Sequence, residues 1–175
     1  MPFIENFMNE VYITKAGKYL PNAPVSNDAM EAFLGKIGDT ASKARRIVLR
    51  NNGIQTRYYA LDSEGQPTHT NAQLTAEAVR TLLGEGFSLA DIEVLSCGTS
   101  TPDCLLPSHA AMVHGLLVGH SMELNSSAGV CNSGMNALKF GYLSVRSGNS
   151  TNAVCTGSER VSTSSMTMKC RHSLP

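Results

Sequence analysis

Five cysteines and five histidines are the side chains of this 175-residue sequence best suited to covalent or metal chemistry. The cysteines (Cys97, Cys104, Cys131, Cys155 and Cys170) are odd in number and include no C-x-x-C pair. That pattern argues against a disulfide framework and against a zinc site. In a reducing compartment they are free thiols, and Cys97 and Cys155, inside strand-like runs, read as small core residues. His109, His114 and His120 are spaced by five and six positions, which puts them on different faces of any helix. No metal and no cofactor is therefore expected. Cys131 is placed differently. Small residues from Ser126 to Gly129 lead up to it, Ser133 and Gly134 follow, and a helical pattern begins at once. A helix N-terminus has unpaired backbone N–H groups and a positive dipole end, which favour a thiolate and can hold an acyl oxyanion. The local sequence alone leaves both readings open, a nucleophile or a structural cysteine.

The elements that would position Cys131 alternate between strands and helices. Residues 11–14, V-Y-I-T, form a short β-branched run closed by Gly17 and the P-N-A-P turn at 21–24. Ser26, Asn27 and Asp28 offer N-caps for a helix with Met30, Phe33, Leu34 and Ile37 on one face. A basic stretch over 41–50 leads to the turn signal Asn51-Asn52-Gly53 and a strand-like run at 54–59. Leu74, Ala78, Val79, Leu82 and Leu83 predict a helix stopped by Gly84 and Gly86. Residues 92–98 read as a buried strand that ends in the loop 99–103. A helix is predicted from Pro107 to about Val118, followed by a short strand at 122–125. The helix after Cys131 carries Met135, Leu138, Tyr142 and Val145 on one face, ends at Gly148, and precedes a strand at 153–157. Strands and helices in this order predict an α/β layered fold around a mixed or largely parallel sheet, in which function collects where strand C-termini hand over to helices. No linker or internal repeat divides the chain, so one domain is expected.

Several of these segments together resemble the N-terminal half of the β-ketoacyl-acyl-carrier-protein synthase III family. They are I-E-V-L-S-C-G-T-S-T-P-D at 92–103 followed by L-L-P-S at 105–108, the nucleophile segment Asn125 through Cys131-Asn132-Ser133-Gly134, and S-G-N at 147–149 with T-G-S-E-R-V-S at 156–162. Upstream, R-N-N-G-I at 50–54 with Arg57 is similar to a further family segment. The runs RRIVLRNNGIQTRYYALD and NSSAGVCNSGMNALKFG resemble the dialkylresorcinol and aryl-polyene-type branch. The fold so implied is the N-terminal half of a thiolase-like fold, layered α/β with a central mixed sheet, over residues 1–162.

The resemblance implies a decarboxylative Claisen condensation. Cys131 would accept an acyl group from coenzyme A or an acyl carrier protein, and a malonyl-carrier-protein carbanion would attack the resulting thioester. Leu106 matches the position that reaches into a partner subunit's acyl tunnel, which implies a homodimer. Arg50 matches an arginine near the coenzyme A adenine, although Asn51-Asn52 extends the family pattern there. Arg46 stands where the family often has tryptophan, and the chain has none. The stretch from Glu123 to Cys131 is longer than the family pattern. After Ser162 the resemblance stops, and residues 163–175 are expected to be a non-matching tail at a truncation point. The C-terminal thiolase-like half, which would supply the His and Asn of the condensation step, is then absent. His172 is a poor substitute so near a chain end.

Composition bounds the alternatives. Hydrophobic residues make up 42% and charged residues 16%, the profile of an ordinary globular chain. Fourteen basic and fourteen acidic residues cancel, so no net field argues for nucleic acid or an anionic membrane as partner. The N-terminus lacks the pattern of a signal peptide and no apolar run is long enough to span a bilayer, so a cytoplasmic protein is expected. A non-catalytic scaffold that pairs with an intact ketosynthase is the competing reading. A flavodoxin-like binding domain is weaker, since no Gly-rich phosphate loop is present.

Overall fold

The computed structural model describes residues 8–35 and 44–162. Ile37, Lys43, the tail at 163–175 with Cys170 and His172, and the N-terminal segment 1–7 lie outside the described residues. The chain groups into two compact units, one of residues up to Tyr19 with Asn71–Glu159, the other of Leu20–Thr70 with the residues from Arg160 on.

In the second unit β1 (Val25–Ser26) pairs antiparallel with β2 (Thr56–Arg57). Helix α1 spans Met30–Leu34 and α2 spans Arg45–Asn52. Gly53 ends α2 with φ of 66°, a left-handed conformation that a side chain would resist. A small core forms from Val25, Tyr59 and Leu61 with Met30, Phe33 and Leu34 packed against it. The strand expected over 54–59 is thus only Thr56–Arg57 long, because its antiparallel partner offers just two residues.

In the first unit α3 (Asn71–Arg80) and a short 3-10 turn (Leu89–Asp91) precede β3 (Val94–Gly98). Helix α4 (His109–Leu117), β4 (Glu123–Ser127), α5 (Ser133–Arg146) and β5 (Val154–Gly157) complete it. The three strands are parallel in the order β4-β3-β5. The crossover from β3 to β4 and the one from β4 to β5 run in opposite directions along the sheet. Right-handed crossovers therefore put α4 and α5 on opposite faces.

Side chains of the strands sort accordingly, with period two. Leu95 and Cys97 of β3 and Val154 of β5 join Ala72, Ala76 and Val113 in the core under α3 and α4. Gly98, Cys155 and Gly157 instead meet α5. All five residues of β3 are buried, as expected of a central strand covered on both faces.

Further sequence expectations change. Residues 11–14 form no strand, and Tyr12 and Ile13 are exposed. β-branched residues make a strand only against a paired edge, and among the described residues none pairs with them. Asn9 instead ties this segment to the end of α5 through Arg146 O and Val145 O, at 3.0 Å each. Helix α3 ends at Arg80 and buries Ala72, Thr75, Ala76 and Val79, a face rotated from the leucine stripe and made of small residues against α4. Helix α4 starts at His109 and not at Pro107, because Ser108 caps it and its Oγ accepts from Ala111 N.

Candidate active site

Two glycines end neighbouring strands, and they set where α5 begins. Gly98 and Gly157 are paired across β3 and β5. A Cβ on Gly98 would sit 2.2 Å from the Ser133 carbonyl oxygen, and one on Gly157 would sit 3.2 Å from Gly134 Cα. Without side chains at these positions the N-terminus of α5 rests directly on the strand ends. The helix keeps this approach along its length through Ser133, Ala137, Gly141 and Ser144, its buried residues.

Cys131 lies on the turn between β4 and α5 and is exposed. Asn132 N–H donates to Gly129 O at 3.2 Å, Ser133 Oγ donates to the same carbonyl, and Asn136 N–H donates to Asn132 O at 2.9 Å. No side chain caps the helix. Its first N–H groups and the positive end of its dipole are thus left open beside the turn that carries Cys131.

The loop after β3 is fastened from both ends. Asp103 accepts from Asn71 N and Ala72 N at 2.8 Å each, capping α3. The Asn71 amide donates to Thr99 Oγ1 and Thr101 O, each at 2.8 Å. Glu159, just past β5, accepts from Ser100 N at 2.7 Å and from Thr101 Oγ1 at 2.9 Å. Behind this loop His109 is buried, with Nε2 3.1 Å from Thr75 Oγ1 and 3.3 Å from Ser158 Oγ.

The cysteines divide by environment. Burial pushes the Cys97 thiol up to about 11, eased by the nearby Thr156 hydroxyl and reinforced by Cys155. Burial likewise raises Cys155, opposed by a hydrogen bond from the Gly141 backbone. Both strand cysteines are therefore held as thiols at neutral pH, in keeping with the structural role read from sequence. Cys104 is exposed, with its Sγ 3.4 Å from Met112 Sδ.

Of the other expected site residues, Leu106 is 86% exposed in the loop before α4. Arg50 stands exposed in the last turn of α2, in the other unit. Cys131 and Leu106 share a unit; Arg50 does not belong to it. Among the described residues no group of three or more His, Cys, Asp and Glu could hold a metal, and no helix is long and apolar enough to cross a membrane. Ser100, Glu159 and the glycine pair were not singled out from sequence, although both strands ending in Gly was a usable signal for close approach.

No protein-family profile matches the chain. Curated relatives do. A β-ketoacyl-[acyl-carrier-protein] synthase III from Clostridium perfringens is 31% identical over 147 residues, covering 83% of this chain and 41% of that protein. The protein of the same name from Bartonella bacilliformis is 30% identical over 148 residues, covering 83% and 42%. Among solved structures, the Thermus thermophilus β-ketoacyl-[acyl carrier protein] synthase III superposes with a TM-score of 0.66 at 24% identity, over 86% of this chain and 43% of that one. The 3-oxoacyl-[acyl-carrier-protein] synthase III of Aquifex aeolicus gives a TM-score of 0.62 at 25% identity, over 84% and 44%. The chain spans about two fifths of the length of the curated relatives it matches. In sequence and in its thiolase-like fold, the chain is homologous to the N-terminal half of the β-ketoacyl-[acyl-carrier-protein] synthase III family.

Proposed function

We propose that this chain carries the acyl-accepting half of a β-ketoacyl-acyl-carrier-protein synthase III-type condensing enzyme, with Cys131 as nucleophile. The observation that supports it best is an exposed cysteine on the turn that opens an uncapped helix, above the C-terminal ends of parallel strands. The Cys131 thiolate adds to the carbonyl carbon of an acyl-coenzyme A or acyl-carrier-protein thioester. The carbonyl π electrons move to oxygen, the new C–S bond forms, and collapse of the adduct expels the coenzyme A or carrier thiolate, which takes a proton from solvent. A malonyl-type carrier-protein thioester then loses carbon dioxide, and its carbanion attacks the Cys131 thioester and releases the thiol. The His and Asn that the resemblance calls on for this second step belong to the relatives' other half.

Leu106 is assigned to the acyl tunnel of a partner subunit in a homodimer, and its exposure is compatible with that role. Arg50 is assigned to the coenzyme A side of the substrate. A cytoplasmic setting, in fatty acid or polyketide-like biosynthesis, goes with thioester substrates of this kind. A second reading, a non-catalytic partner of an intact ketosynthase, is favoured by the exposed apolar side chains of α5, Met135, Leu138 and Tyr142.

Acyl transfer separates the two. On incubation with acetyl-coenzyme A, intact-mass measurement is expected to show one acetyl adduct that disappears in Cys131→Ala. No adduct favours the scaffold reading, and an adduct that survives Cys131→Ala removes Cys131 from its role.

A further inference from the structure

The Cys131 turn is tied to its surroundings through a carbonyl oxygen. Ser100 Oγ donates to Val130 O at 2.6 Å and lies 3.1 Å from Ser133 Oγ. Ser100 is itself held from behind, since Glu159 accepts its backbone N–H and the hydroxyl of the next residue, Thr101. Hydrogen bonds to a carboxylate are among the stronger ones, so the Ser100 backbone has a firm anchor. The Val130 side chain is 80% exposed, so packing does little to fix this peptide.

Val130 C=O and Cys131 N–H belong to one peptide unit. The cis peptide among the described residues is Leu106–Pro107, so the Val130–Cys131 unit is trans. A planar trans peptide points its carbonyl and its N–H to opposite sides. Holding the carbonyl toward Ser100 therefore holds the Cys131 N–H away from Ser100, in a fixed direction. A donor whose direction is set before reaction stabilises developing charge better than one that must reorient.

We infer that Ser100 is a positioning residue: its hydroxyl, backed by Glu159, orients the Val130–Cys131 peptide so that the Cys131 N–H is preset to receive the acyl oxyanion. The inference rests on acyl acceptance by Cys131 as proposed above. Ser100 touches no reacting atom; it acts through the peptide.

The test compares two reactions of the same thiol in the 175-residue chain, each followed by peptide-mapped mass spectrometry at Cys131. Acetyl-coenzyme A transfer passes through an oxyanion. Iodoacetamide alkylation displaces iodide from a saturated carbon and forms none. Ser100→Ala is expected to slow acetyl transfer roughly tenfold, the worth of about one net hydrogen bond, while alkylation stays within about twofold. Ser100→Thr keeps the hydroxyl and is expected to restore acetyl transfer. Glu159→Gln should give the same split with a smaller fall, and serves in place of Ser100→Ala if that variant loses structure by circular dichroism. Equal slowing of both reactions means the tie only holds the turn together, and unchanged rates mean it does nothing; either result overturns the inference. A wild-type Cys131 that is alkylated but never acetylated removes the acyl-acceptor reading itself, and the role of Ser100 falls with it.

Discussion

His109 is an imidazole whose burial favours the neutral ring. The single proton of the Thr75 hydroxyl has Ser158 Oγ at 2.7 Å and Asn71 O at 2.9 Å to go to, both nearer than His109 Nε2 at 3.1 Å. A proton on Nε2 has the Thr75 and Ser158 oxygens within reach, whereas one on Nδ1 would be buried with no acceptor, so Nδ1 is left as a bare lone pair. Burial lowers the His109 pKa from 6.5, opposed in part by the carboxylates of Asp103 and Glu159. With the folded value below the unfolded one, the unfolded chain takes up the proton first as pH falls. The contribution to stability is thus complete above 6.5 and is lost as pH drops through the interval below it. The urea midpoint is expected to fall between about pH 7 and about pH 5, and His109→Gln should flatten that fall. The sequence showed His109 only as a non-ligand. The turn that places Cys131 before α5 was readable because its neighbours in sequence, glycines and serines before a helical period, already describe it. Ser100 and Glu159 were not, because their bonds join positions 30 and 59 residues apart, and no local pattern records such a contact.

Helix α5 shows how an element can be found correctly and turned wrongly. Its period and its Gly148 stop predict the helix, yet the expected apolar face of Met135, Leu138 and Tyr142 is exposed, and a stripe of small residues is buried instead. The sheet decides this. A Cβ on Gly141 would lie 2.3 Å from Cys155 Sγ and 3.0 Å from Ala153 Cβ, so larger residues cannot occupy that face at this distance. Gly141→Ala should destabilise the protein by about 1–3 kcal/mol in urea titration, although alanine favours helix by roughly 1 kcal/mol over glycine. A stabilised Gly141→Ala would mean that α5 stands off the sheet. Helix α3 repeats the lesson, since it buries Ala72, Thr75, Ala76 and Val79 and leaves Leu74 half-buried. Hydrophobic period finds a helix, but the side that packs is chosen by how closely its neighbour approaches.

For the molecule as a whole, the parallel sheet and its two helical layers follow from the strand–helix alternation, and the family resemblance agrees with the relatives found. The division into two units was not legible, because the second unit is assembled from a segment inserted between the parts of the first. The apolar side chains of α5 carry a consequence for behaviour in solution. Met135 is 65% and Tyr142 42% exposed on one helix, an apolar surface of the kind that drives association. Met135→Lys combined with Tyr142→Lys is expected to reduce self-association in light scattering while leaving the unfolding free energy from urea titration within about 0.5 kcal/mol of wild type, as for other exposed positions. A loss of stability instead would show that these side chains are packed. The buried thiol of Cys97 has a practical use at this scale. It sits in the central strand, fully covered and sharing no solvent with Cys131, so its modification by a thiol reagent must wait for the sheet to open. The same molecule thus holds one thiol open to solvent and another whose modification times the opening of its own core.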